Sequence, residues 1–368
     1  MFQMIRYFCY NSYMKKILLL LIIPFLLACQ QKRTTQEEMI TRTQALMGTF
    51  VTLTLSSSHQ AHISESFKKI KEIENSLSSY DTNASIYRLN QKHSIAYDRY
   101  VAEALQLSQQ YYKDTQGYFD ITIGSISKDL YHFGEENATL ATQKLLDKAT
   151  LNIHGLHITK QSISTQKDIT IDLGGMGKGY GVDKIAKYLK EQNINQDTIA
   201  FSGDIRCFDK CDIYLQSPLS ENMFAHILTQ IPNVSISTSG TYRRYIKNKE
   251  AHHLIDPKQR KPQKNFISVS LFSLGDNTRL DAYATAVSVM PLDTALDFLK
   301  KYKDISFILV KHDGNILYSD EVKLLHIRWL PYKEMATIHT SNESKKAYTS
   351  KEKTLTHPNI SNPEEIKR

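Results

Sequence analysis

The sequence predicts an α+β fold with largely antiparallel or mixed sheets and packed helices. Two observations predict it. Strand-like and helix-like segments follow one another without regular strand–helix–strand alternation, which argues against a doubly wound parallel sheet. Several strand-like runs are joined by short turn-rich loops that read as hairpins, one around Lys247-Asn248-Lys249-Glu250 and one around Asp313-Gly314. No internal repeat is present.

The chain has 368 residues, 41% hydrophobic and 23% charged, enough for one large or two modest cores. Its net charge of +8 falls to +5 without the leader, where Arg6, Lys15 and Lys16 are the only charged residues before Cys29. No block of Lys and Arg interleaved with aromatic residues occurs, so nucleic-acid binding is excluded as a function class.

Met14-Lys15-Lys16 opens a charged segment, followed by an apolar run over 17–28 that only Pro24 interrupts. A membrane-spanning helix needs roughly 20 apolar residues, so this run reads as a signal sequence. It ends in Leu26-Leu27-Ala28-Cys29, a small residue before Cys, the pattern of a bacterial lipoprotein signal. Residues 1–28 are read as the signal peptide, Cys29 as the lipidated N-terminus, and 29–43 as a tether. Cys207 and Cys211 stand four apart and could close a small loop in an oxidising compartment; no second pair at zinc spacing accompanies them.

Along the body of the chain, 46–55 alternates and is β-branched, a strand. Phe67, Ile70, Ile73 and Leu77 mark an amphipathic helix that runs into a turn-rich segment at 78–83. A helical pattern over 101–115 stops at Gly117, and 118–124 reads as a strand or extended loop. A helix over 142–149 and a hairpin over 156–164 lead to a short strand at 168–172. Further strands are expected at 198–201, 213–216, 234–238 and 266–274. The 242–246 and 251–255 runs should pair as a hairpin, with Ala251, His253 and Ile255 on one face and His252 on the other. Helices are expected over 281–290, stopped by Pro291, and over 293–300; a hairpin of 305–311 with 315–319 follows. Residues 332–368 lose apolar periodicity and read as a disordered polar tail.

The most distinctive stretch is Asp172-Leu173-Gly174-Gly175-Met176-Gly177-Lys178-Gly179-Tyr180-Gly181-Val182-Asp183, which holds five of the chain's 14 glycines. Val182, Ile185, Ala186 and Leu189 then form a helical stripe. A strand, a loop free of side chains and a helix start with Lys178 suit a phosphate or diphosphate. The spacing matches neither the dinucleotide fingerprint nor the P-loop, and a glycine-rich turn at a tight helix–sheet contact would read the same way. Asp281 and Thr285 share one helix face at i, i+4, where hard oxygen ligands suit Mg²⁺; an Asp near a helix start also commonly serves as a cap. His253 offers an imidazole that could take a proton from a hydroxyl.

Met47-Gly48-Thr49, Ser79-Tyr80, Gly117-Tyr118-Phe119-Asp120, the glycine stretch, Ser202-Gly203-Asp204, Thr238-Ser239-Gly240, His253-Leu254-Ile255-Asp256-Pro257 and Asp281-Ala282-Tyr283-Ala284-Thr285-Ala286 occur in this order. The arrangement resembles the ApbE family of FAD:protein FMN transferases, over about residues 40–330. The resemblance implies a T-fold-related catalytic unit of two lobes over 44–331. It also implies that FAD and Mg²⁺ bind and that FMN moves onto a Thr or Ser hydroxyl of an acceptor redox protein, releasing AMP. By motif match, Met47, Tyr80, Tyr118, Phe119, Asp120, Asp172, Lys178 and Ile255 would contact FAD. The carbonyl of Gly175, with Asp281 and Thr285, would hold Mg²⁺, and His253 would be the general base. Ser202 stands where the family usually has Gly, and Ala284 offers no side-chain ligand, so the metal would lean on backbone carbonyls and water. Two other outcomes stay open, an FAD pyrophosphatase and a non-catalytic FAD-binding lipoprotein. The expected location is a membrane-anchored lipoprotein facing the periplasm, on the inner membrane.

Overall fold

The computed structural model describes residues 38–195, 198–242, 245–246, 250–319, 324–330 and 337–340. The first part of the chain runs through β1 (Met39–Leu46), β2 (Thr49–Ser56), α1 (Gln60–Leu77), α2 (Ser85–Lys92), β3 (Ser94–Ala96) and α3 (Arg99–Asp114). Two short helices, α4 (Gly124–Ser127) and α5 (Gln143–Lys148), precede β4 (Leu156–Ile158), β5 (Ser162–Thr165) and α6 (Gly177–Glu191). Next come β6 (Thr198–Phe201), β7 (Asp204–Cys207), β8 (Asp212–Gln216), β9 (Met223–Thr229) and β10 (Val234–Gly240). The two-residue strands β11 (Ile255–Asp256) and β12 (Lys261–Pro262) lead to β13 (Phe266–Leu274), α7 (Asn277–Val289) and α8 (Leu292–Lys301). The last strands are β14 (Ser306–Lys311), β15 (Ile316–Ser319), β16 (Leu325–Trp329) and β17 (Thr337–Thr340).

The fold is α+β, as the sequence predicts. Its frame is a nine-stranded sheet in the order β1-β2-β6-β7-β10-β13-β14-β15-β17, antiparallel except for the β15–β17 pair. Three-stranded sheets β16-β9-β8 and β3-β5-β4 and the pair β11-β12 complete it. Val269, Leu271 and Leu309 pack on one face of the large sheet with Leu280, Tyr283 and Val287 of α7. Ile236, Phe272 and Ile308 on the other face pack with Phe224, Ile227 and Leu325 of the β8–β9–β16 sheet. With both faces covered, β13 is buried along eight of its nine residues. A separate cluster joins α1 and α6 to β2 and β6 through Phe67, Ile70, Val182, Ile185, Val51 and Phe201.

Several expectations need correction. The segment 46–55, expected as one strand, is the end of β1, a turn and β2 of a hairpin over 39–56; the strands meet at Met47-Gly48, whose φ angles of 52° and 68° form the two-residue turn that suits strand twist. Residues 39–43, assigned to the tether, belong to β1. The strand is exposed along most of its length, so it carries no apolar alternation and is held by its full register with β2. Residues 337–340, assigned to the tail, form β17 on β15; the rest of the tail, the signal sequence and Cys29 lie outside the described residues. Residues 118–124 form no strand: a bend at 118–119 leads through Asp120 into a 3-10 helix at Ile121–Ile123, and Gly124 starts α4. Residues 169–172 lie in no sheet; Asn90 bonds Ile171 N–H and C=O at 2.8 and 2.9 Å, and Asp172 N–H donates to Ile121 O at 2.8 Å. The 242–255 hairpin reduces, among the described residues, to one bridge, Tyr245 to His252. Cys207 and Cys211 are joined by a disulfide. None of the helices among the described residues is long and apolar enough to cross a membrane.

The first turns of α6 test the packing argument at two glycines. A Cβ on Gly179 would lie 2.2 Å from Asn277 O and 2.8 Å from Asp281 Cβ, whereas one on Gly177 would meet nothing within 4 Å. Gly179→Ala is expected to destabilise the fold by about 1–3 kcal/mol through overpacking of α6 on α7, while Gly177→Ala leaves stability within about 0.5 kcal/mol. Urea unfolding of both variants checks this, and equal effects would refute the helix-contact account.

Candidate functional site

The site is built around the start of α6 and the middle of α7. Asp172 enters the glycine loop with both carboxylate oxygens engaged: Gly174 N–H donates to Oδ1 at 2.9 Å and Ser127 Oγ to Oδ2 at 2.7 Å. Burial alone would push its carboxyl up; the charge of Lys128, these two hydrogen bonds and His253 outweigh it and hold the group below its usual value. The loop closes with Gly177 N–H on Leu173 O at 2.8 Å, so α6 begins directly after the turn.

Lys178, on the first turn of α6, reaches back between two carboxylates. Its Nζ lies 2.8 Å from Asp204 Oδ2 and 3.1 Å from Asp281 Oδ2. Burial opposes the ammonium, but Asp204 and Asp281 hold its pKa well above the ordinary lysine value. Asp281 also accepts Gly179 N–H at 3.0 Å. One turn further along α7, Thr285 Oγ1 donates to Gly175 O at 3.1 Å. A Cβ on Gly175 would stand 2.9 Å from Thr285 Cγ2, so only glycine lets the loop carbonyl come this close. The three oxygen donors expected for a metal thus border one place, between the glycine loop and α7. No group of three or more His, Cys, Asp or Glu side chains that could hold a metal occurs among the described residues; this set depends on a hydroxyl and a carbonyl beside its acid. The alternative reading of Asp281 as a helix cap fails, because α7 begins earlier and Asp276 caps it, accepting Arg279 N–H at 3.0 Å.

The walls come from turns. Met47 N–H donates to Glu74 Oε1 at 2.6 Å, fixing the β1–β2 turn on α1. Tyr80 donates its hydroxyl to Phe133 O at 2.9 Å and carries Lys128 Nζ 3.3 Å above its ring; Lys258 Nζ stands 3.8 Å from the ring of Tyr118. Phe119 packs edge-on against Tyr111. Asp120 Oδ1 accepts from Thr122 N–H and Oγ1 at 2.8 and 2.6 Å; burial nonetheless pushes its carboxyl up. Ile255 is buried with Phe133 and Ile246. The adjacent histidines separate cleanly. His252 is buried with Nε2 2.8 Å from Gln263 O, a structural residue. His253 faces the cleft, its ring 6.5 Å from Phe133.

All twelve residues nominated for FAD, metal and catalysis border a single cleft of ≈ 1090 Å³. Asp204 is the residue that sequence reasoning left without a role. Its signal was Ser202-Gly203-Asp204 at a strand end; its position against Lys178 depends on the β6–β7 turn and could not be read from spacing. Lys128 and Lys258, which cover the tyrosine rings, had no sequence signal.

Burial, and then the charge of Asp281, push the carboxyl of Asp204 from 3.8 up to about 7, against the pull of Lys178 and Ser237. Between these values the folded chain binds a proton that the unfolded chain has released, so this group's contribution to stability falls as pH rises. In chelator-treated protein, wild type is therefore expected to lose stability relative to Asp204→Asn between about pH 4 and 7. Parallel denaturation curves across that window would refute it.

Comparison with known proteins gives the family of the chain. A family model described as the ApbE family matches residues 47–309. The chain is 29% identical to the FAD:protein FMN transferase of Buchnera aphidicola subsp. Schizaphis graminum over 248 residues, 61% of this chain and 71% of that protein. It is 25% identical to the enzyme of that name from Klebsiella pneumoniae, covering 76% of this chain and 91% of the other. Among solved structures, the flavin transferase ApbE from Vibrio cholerae superposes with a TM-score of 0.65 at 19% identity, covering 80% of this chain and 97% of that one. The ApbE protein from Thermotoga maritima does so with a TM-score of 0.68 at 21% identity, covering 76% and 96%. These likenesses support the fold, and with the family match spanning most of the chain they lead to one conclusion: the chain belongs to the ApbE family.

Proposed function

We propose that this chain transfers FMN from FAD to a Ser or Thr hydroxyl of an acceptor redox protein and releases AMP. The observation that carries the reading is the convergence of Lys178, Asp281, Thr285 and Gly175 O with His253 in one cleft. FAD enters as substrate, its flavin ring against Met47, Tyr118 and Phe119. Asp120 and Asp172 face its polar groups, and Tyr80 and Ile255 border the same space. His253 takes the proton of the acceptor hydroxyl as its oxygen bonds to the flavin-side phosphorus, and the bridging P–O bond to AMP breaks. Lys178 offers positive charge to the phosphate that leaves.

The donor set at the base of the cleft fits Mg²⁺. Carboxylate, hydroxyl and carbonyl are all hard oxygens, Mg²⁺ commonly keeps waters and substrate phosphates in its remaining positions, and the Lys178 ammonium at Asp281 marks the place as one that attracts a cation. Asp281, Thr285 and Gly175 O would hold the ion, which when bound neutralises diphosphate charge.

The chain acts as a lipoprotein anchored through Cys29 to the inner membrane and facing the periplasm. The disulfide between Cys207 and Cys211 supports an oxidising compartment. With β1 starting at Met39, the tether from Cys29 reaches at most ~35 Å, which keeps the cleft near the membrane surface and favours membrane-bound acceptors.

Protein beginning at Gln30, mixed with FAD, Mg²⁺ and a flavin-accepting redox protein, is expected to give a covalent flavin adduct with one AMP per adduct. FAD binding without adduct or AMP would leave a flavin-binding lipoprotein; AMP with free FMN would leave a pyrophosphatase. His253→Ala should keep FAD affinity, measured by flavin fluorescence, while transfer falls by about 10²–10⁴-fold; loss of both together would make His253 structural. Asp281→Asn keeps an acceptor for Gly179 N–H but loses the charge, so transfer should fall on the order of 10²-fold and lose its Mg²⁺ dependence. An unchanged Mg²⁺ titration would place the metal elsewhere.

A further inference from the structure

The wall of the cleft formed by β8 has no role in holding FAD in the reading above, and its geometry is unusual. Ile213, Tyr214, Leu215 and Gln216, four consecutive residues, all border the cleft. Side chains of a strand alternate between its two faces, so a run of four lining one space means that the strand's edge, not a face, is turned toward it. β8 is the outer strand of the β16-β9-β8 sheet. Thr229 N–H donates to Cys211 O at 3.0 Å, and Tyr214 lies opposite His226 in the same register. The alternation of an antiparallel ladder then turns the N–H and C=O of Tyr214 away from β9, toward the cleft.

Outer strands are usually guarded by charge, proline or a bulge that spoils further pairing. β1 at the edge of the large sheet carries Arg42 and Gln44, and β16 carries His326 and Arg328. β8 carries one charge, Asp212 at its start, and a register shift against β9 at its far end, between Leu215 and Gln216, past Tyr214. Tyr214, Leu219, Met223 and Leu228, all of the β8–β9 hairpin, are large apolar side chains left 39–51% exposed. Phe224 and Tyr242 continue this largely apolar wall within the cleft that holds His253.

We propose that the β8 edge docks the acceptor polypeptide as an added antiparallel or parallel strand, presenting its hydroxyl residue into the cleft. This rests on the transferase reading and names how its second substrate is held. Main-chain hydrogen bonds to Tyr214 supply affinity with little demand on sequence. The apolar side chains beside this edge favour an extended Ser- or Thr-bearing segment with apolar neighbours. Residues two apart on that segment share a face, so the modified hydroxyl and its second neighbours point into the cleft while the intervening side chains point out.

The test uses FAD-loaded protein and a capped, fluorophore-labelled nonapeptide alternating Val with Ser around one central Thr. Binding is read by anisotropy and transfer separately by mass. The peptide is also made N-methylated at every second amide, in both phases. One phase is expected to bind within about 2-fold of the parent and the other at least 10-fold more weakly, because only one edge of an added strand pairs. Tyr214→Pro removes the outward N–H without removing a β8–β9 ladder bond and should weaken the parent peptide at least 10-fold, its folding verified by thermal unfolding. No binding by wild type, equal binding of both phases, or undiminished binding by a folded Tyr214→Pro protein overturns the proposal. Phase-dependent binding without any flavin on the peptide upholds the docking edge and removes the transferase reading instead.

Discussion

The site depends on a reciprocal exchange of carboxylates between two helices. Asp281, from α7, accepts Gly179 N–H and Lys178 at the start of α6. Asp183, from α6, returns the contact: it accepts Asn277 N–H at 2.9 Å and Thr278 N–H at 2.7 Å at the start of α7. Each helix thus has first-turn amides, which lack partners of their own, bonded by an acid of the other. Arg206 of β7 braces Asp183 and also bonds Ser235 and Asn277 at 2.9 Å, tying both helices to the sheet. Breaking such a buried pair from one side leaves an uncompensated charge and costs about 3–5 kcal/mol, so the two helix starts hold a fixed separation. That separation sets the gap between Gly175 O and Thr285.

The same exchange sets the charge of the cleft floor. Two acids, Asp204 and Asp281, face one ammonium, Lys178. When both acids are ionised the cluster is net negative, and an anionic diphosphate gains nothing from approaching it. A divalent cation at Asp281 reverses the sign, and Lys178 keeps Asp204 as its counter-ion when it turns toward phosphate. Within the proposed reaction, the requirement for a cation follows from this charge balance and does not need a larger ligand cluster. The raised carboxyl of Asp204 comes first from its burial, and the charge of Asp281 beside it adds to that.

Much of the floor was legible in the sequence because it is local. A glycine loop followed by a helical stripe specifies a helix start, and Asp281 with Thr285 specifies one helix face. The sequence could not show that α7 starts at Asn277, which moves Asp281 from a capping position to a buried one. Strand alternation put His252 and His253 on opposite faces, but it could not show which of them bonds Gln263 O and which borders the cleft. Apolar alternation also missed β1, because a strand exposed along most of its length has no face to mark. The contacts between distant turns, such as Lys128 over Tyr80 and Glu74 at Met47, depend on the assembled core and leave no periodic trace.

Ser202 shows how a departure from the family pattern can be understood in physical terms. It sits at φ 56° in the turn between β6 and β7, a left-handed conformation that glycine adopts freely and that costs other residues roughly 1–2 kcal/mol. Glycine is thus the undemanding choice here. In this chain the strained position is held from outside, by Ser202 N–H on Phe50 O at 3.1 Å and Thr238 N–H on Gly203 O at 3.0 Å. Those bonds join the turn to β2 and β10, the strands on either side of the β6–β7 pair. The turn in turn starts β7 at Asp204, the partner of Lys178. The neighbouring turn at Met47, also left-handed at φ 52°, borders the same cleft. Two strained turns side by side, both fixed by the sheet, give the rim a defined shape where loops alone would leave it adjustable, and that rigidity is what a cleft needs to hold a flat ring against a fixed phosphate grip.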